Sequence, residues 1–67
     1  MIDYQKAVKD LRDKLIMTQV GFAKMLGVSF TSINRWENGQ NRPTTTARKQ
    51  IVELCKKNNI ELKEVKE

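Results

Sequence analysis

The chain has no histidine, a single cysteine, and no apolar run longer than the three residues Leu15, Ile16 and Met17. One cysteine cannot form an intramolecular disulfide, and without histidine there is no His/Cys cluster to hold a structural zinc. Stability is therefore expected from apolar packing, with Cys55 read as a small core residue. The three-residue run is far short of the roughly 18 residues of a membrane span or the ~7 of a signal-peptide core. A cytoplasmic protein with no membrane partner is the expectation. Catalysis is not expected either, because Cys55 lacks a base and no closely spaced acidic pair lies in the likely core. Nothing calls for a cofactor or a small-molecule ligand.

Sixty-seven residues make one domain at most, and a chain this short leaves roughly 40% of its unfolded-state surface exposed after folding. A small helical core is feasible, whereas a deep enclosed cavity is not. The net charge is +5, and its distribution is more telling than its size. Residues 1–13 sum to zero and residues 58–67 to −1, while residues 14–57 carry eight basic side chains against Glu37 and Glu53. The positive excess lies where the compact fold should be, as suits a surface that meets a polyanion. A generic basic protein would show the same balance, so charge is supporting evidence only.

Periodicity predicts an all-α chain. Asp3 can cap a first helix, about 3–15, in which Tyr4, Val8, Leu11 and Leu15 recur at helical spacing beside Ala7 while Lys6, Lys9, Asp10, Arg12 and Asp13 fill the other face. Thr18 can cap a second, about 18–26, with Phe22, Ala23 and Leu26 inward and Gly27 ending it. Val28 plugs the turn and Ser29 caps a third helix, about 30–38, whose strongly apolar residues are Ile33 and Trp36. Asn38-Gly39 closes it at a place where positive φ is cheap. Threonines 44–46 offer caps for a fourth helix, about 45–58, with Ala47, Ile51 and Leu54 as its stripe and Cys55 alongside. Residues 1–59 thus form the domain. The tail 60–67, with Ile60, Leu62 and Val65, suits either a short packed segment or a frayed end.

Two short helices joined by a tight glycine-containing turn are the parts of a helix-turn-helix. An α-helix fits the major groove of double-stranded DNA, where each base pair shows its own donors, acceptors and methyl groups. Short side chains on the first turn of the third helix would let its backbone approach those edges. Trp36 is expected in the core, and Glu37 as a structural hydrogen-bond partner, since a carboxylate facing DNA would be repelled.

The run Thr18-Gln19, Phe22-Ala23, Leu26-Gly27-Val28-Ser29, Ile33, Trp36-Glu37-Asn38-Gly39 and Arg42-Pro43 resembles the Xre-type, or phage repressor and Cro-like, helix-turn-helix domains over 26 residues without a gap. The resemblance implies a compact four- to five-helix repressor-like fold and a transcriptional regulator, repressor-like in action, that binds double-stranded DNA sequence-specifically. By the same resemblance Thr18, Gln19, Ser29, Asn38 and Arg42 contact phosphates, and Phe30, Thr31, Ser32, Asn34 and Arg35 face base edges. Phosphate contacts position such a domain, and base contacts specify its site. Relatives often act as homodimers on inverted half-sites, though no residue here marks a dimer surface.

Two departures stand out. Relatives commonly carry an acidic residue where this chain has Gly21, so a reciprocal capping-box hydrogen bond is missing. Phe30 replaces a polar reader, and a phenyl ring favours contact with a thymine methyl over hydrogen bonding to a purine. Structural alternatives stay open: Thr18 as a cap alone, Phe30 folded back on its own domain, and Arg35 paired with Glu37 or a phosphate. A protein-interaction module of the same fold, such as an antitoxin or adaptor, is the second functional reading; such a face should be rich in large apolar groups, and of the third helix's outer residues only Phe30 fits that.

Overall fold

In the computed structural model, which describes residues 2–64, four helices follow one another: α1 (Tyr4–Lys14), α2 (Gln19–Leu26), α3 (Phe30–Glu37) and α4 (Thr45–Lys57). All four begin alike. The side chains of Asp3, Thr18, Ser29 and Thr44 accept the N–H of the residue three positions on, namely Lys6, Gly21, Ser32 and Ala47, at 3.0–3.3 Å. Each such bond satisfies one of the N–H groups that a helix start leaves without an internal partner.

The helices also end alike. In each, a residue just past the end takes a left-handed conformation, and two N–H groups fold back on the last turn. At α2, Val28 N–H donates to the Ala23 carbonyl and Gly27 N–H to that of Lys24; at α3, Gln40 donates to Arg35 and Gly39 to Trp36. The same pair of bonds closes α4 through Ile60 and Asn59, and α1 through Met17 and Ile16. The left-handed residues are Gly27, Gly39, Asn59 and Ile16, with φ of 72°, 73°, 58° and 54°. Glycine and asparagine are the usual occupants. A β-branched residue is not, and Ile16 is also 92% exposed.

The core is one cluster: Ala7, Val8 and Leu11 of α1, Phe22, Ala23 and Leu26 of α2, Ile33 and Trp36 of α3, and Ala47, Ile51 and Cys55 of α4. On α4 the buried stripe runs Ala47, Ile51, Cys55, with Leu54 only half-buried, so Cys55 takes the inward place expected of Leu54. Helix α3 packs against both α1 and α2, and α4 packs against α1. Burial, with a smaller influence from Asp10, raises the Cys55 thiol pKa above its ordinary value. The thiol is therefore a neutral packing group, as expected.

Beyond α4, Ile60 and Leu62 rest against the core. Asp3 N–H donates to the Lys63 carbonyl at 2.8 Å, and Ile2 bridges Glu64 in antiparallel fashion. Of the tail, Val65 and the two residues after it lie outside the described residues. No helix among the described residues is long and apolar enough to cross a membrane.

Candidate nucleic-acid interface

Three residues, Gly27, Val28 and Ser29, separate α2 from α3. That turn is fixed from within: Gly27 supplies the left-handed step, half-buried Val28 packs on the core, and Ser29 caps the next helix. The two helices are thereby held against each other with the start of α3 in the open.

At ~100° per residue along a helix, Phe30, Asn34, Thr31 and Arg35 fall within one arc of about 140°. Ile33 and Trp36 lie outside that arc, toward the core, and Glu37 in the last turn falls just beyond its edge. Burial agrees, since Ile33 and Trp36 lie in the core while Phe30, Thr31 and Arg35 are exposed and Asn34 is half-buried. Phe30 is 48% exposed, so it does not fold back on its own domain. Ser32 lies to the flank of the arc and is half-buried.

The polar groups at the start of α3 are largely engaged with one another. Ser29 Oγ accepts Ser32 N–H at 3.1 Å, and the Ser29 and Ser32 hydroxyls sit 3.0 Å apart. Asn38 Nδ2 donates to Asn34 Oδ1 at a long 3.4 Å. Thr18, exposed, accepts the Gly21 N–H at 3.0 Å, and Gln19 beside it is half-buried. Asn38 and Arg42 are exposed, Arg42 already has a partner, and Pro43 is buried.

Glu37 corrects an open alternative. It pairs with Arg12 of α1, not with Arg35: Arg12 Nε donates to Oε2 at 2.8 Å and Nη2 to Oε1 at 2.9 Å, a two-pronged bond. Arg12 Nη1 also donates to the Met17 carbonyl, so one guanidinium joins α1, the turn after it and α3. The hydrogen bond to Glu37, opposed by burial, raises the Arg12 pKa above its usual value. Helical spacing puts Arg12 among the solvent-facing charges, because a contact across 25 residues of sequence has no local signature. Gln5 adds a second tie, its Nε2 donating to the Glu37 carbonyl at 3.1 Å. A Cβ at Gly39 would come 2.9 Å from Gln5 Oε1, the movable end of an exposed side chain, so what calls for glycine here is the left-handed turn.

These ties have an electrostatic consequence. Glu37 is the only carboxylate on α2 and α3, and Arg12 neutralises it, while Lys24 and Arg35 on the same pair of helices form no ion pair among the described residues. The α2–α3 unit therefore presents cations and neutral polar groups without an uncompensated anion.

Residues 8–58 match a family model described as helix-turn-helix, a span that takes in all of α2, α3 and α4 and most of α1. No curated protein and no solved structure matches the chain.

Proposed function

The chain belongs to the Xre/Cro-like helix-turn-helix family, whose members bind DNA, and on that premise we propose that it binds double-stranded DNA sequence-specifically with α3 in the major groove, as a transcriptional regulator that represses. The observation that carries this reading is the two-sided character of α3. One side is buried through Ile33 and Trp36, and the other offers Phe30, Thr31, Asn34 and Arg35 to the outside. In this reading Thr31 and Arg35 are the leading hydrogen-bonding base readers, arginine being able to grip guanine O6 and N7 together. Asn34 and Ser32 assist from the same helix. Thr18, Gln19, Ser29, Asn38 and Arg42 hold phosphates, helped by the open N–H groups and positive dipole end of α2. Two copies on an inverted repeat would place their recognition helices about one helical turn of DNA apart.

Selection of bound duplexes from a random pool tests this. The expected product is a defined motif, and Arg35→Ala should relax one base-pair position of it at a cost of about 1–3 kcal/mol. A pool that yields no enriched sequence would refute specific recognition. The exposed Phe30 also supports a protein-binding module, which would show instead as a stoichiometric partner lost on Phe30→Ala.

A further inference from the structure

We infer that Phe30 reads the C5 methyl group of a pyrimidine in the major groove, thymine in ordinary DNA and 5-methylcytosine in modified DNA. The inference rests on the placement of α3 proposed above. Among the described residues four large apolar side chains stand out from the surface, Ile16, Val20, Met25 and Phe30, and only Phe30 belongs to α3. It is the first residue of that helix, inside the same arc as Thr31 and Arg35. Beside it, Ser29 Oγ accepts the Ser32 N–H and lies 3.0 Å from the Ser32 hydroxyl, so these two hydroxyls are engaged, while the exposed Thr31 is the hydrogen-bonding side chain next to the ring. What Phe30 itself offers to a base is therefore a phenyl ring alone. A phenyl ring cannot donate to or accept from a base edge, and the apolar feature of the major-groove edge is the pyrimidine C5 methyl. Cytosine acquires the same group at the same ring position when methylated, so both bases present one chemistry to Phe30.

The test uses the full chain and the duplex it enriches from a random pool, with two arms. In the first, each thymine is replaced singly by deoxyuridine, which removes only the methyl. In the second, the position found sensitive carries a C·G pair, with and without a 5-methyl on the cytosine. One position should lose about fourfold in affinity without its thymine methyl, and at that position 5-methylcytosine should bind about fourfold tighter than cytosine. Both differences should vanish in Phe30→Ala and persist in Phe30→Leu, with helicity confirmed for each variant by circular dichroism. Indifference of the parent chain to every methyl, or an undiminished methyl effect in Phe30→Ala, overturns the inference while leaving DNA binding intact. A pool from which no duplex is enriched contradicts the sequence-specific reading, and the methyl contact with it.

Discussion

At the scale of single residues, Glu37 and Ile16 show opposite relations between a side chain and its place. The Glu37 side chain is 8% exposed and receives two guanidinium hydrogen bonds, so its charge is matched in both number and geometry. Removing the charge while keeping the shape leaves Arg12 facing a neutral amide in a largely dry setting. Glu37→Gln should therefore destabilise by about 2 kcal/mol, seen as a fall in Tm of about 10 °C in thermal unfolding. A change within the error of the measurement would mean that water already screens the pair. Ile16 is the reverse case, with a left-handed backbone in which its branched Cβ is strained and a side chain almost wholly in water. The corresponding positions after α2, α3 and α4 hold glycine, glycine and asparagine. Ile16→Asn should stabilise the chain by about 1 kcal/mol, read from the urea midpoint at unchanged slope. An unchanged or lower midpoint would show that the isoleucine makes a compensating contribution.

At the scale of elements, α2 is the one helix of the described residues with a glycine inside it. It is eight residues long, has no acidic residue in its first turn, and holds Gly21 inside it. A Cβ at Gly21 would lie 3.3 Å from Thr18 Oγ1, the oxygen that caps α2, a closeness relieved by a shift of a few tenths of an ångström that keeps the cap bond within reach. Gly21→Ala should therefore stabilise by about 0.5–1 kcal/mol, and the gain should be visible as slower hydrogen exchange along α2. Equal or faster exchange would mean that crowding of the cap outweighs the propensity gain. The elements are also where the sequence speaks most clearly. Asp3, Thr18 and Ser29 are each a short polar residue directly before an apolar stripe, and Gly27 directly follows one, so the helix bounds around them are legible within a residue or so. Local hydrogen bonding makes such signals short-range, and a linear reading captures them. What it misses is of another kind. Arg12 reaching Glu37 and Gln5 reaching the Glu37 carbonyl depend on how α1 crosses α3, which no periodicity within either helix reports. The left-handed Ile16 is hidden for a different reason: the closing bonds of α1 impose a conformation that the residue itself disfavours.

At the scale of the whole molecule, the site is an arrangement of charge as much as of shape. Residues 14–57 hold the positive excess, and the ion pair that ties α3 to α1 also neutralises the one carboxylate of the α2–α3 unit. The outer face of α3 is legible in the pattern of cap, stripe and polar residues, because burial of Ile33 and Trp36 forces Phe30, Thr31 and Arg35 outward. Which of its polar groups bond to one another is not legible there, since the Ser29–Ser32 contact depends on rotamers. The measurement that bears most directly on DNA recognition is a salt titration of affinity for the selected duplex beside a scrambled duplex of equal length. With about six phosphate contacts, log affinity should fall against log salt with a slope near −5 for the selected duplex, and that duplex should bind at least ~1,000-fold tighter than the scrambled one at physiological salt. Equal affinity for the two duplexes at every salt concentration would contradict it.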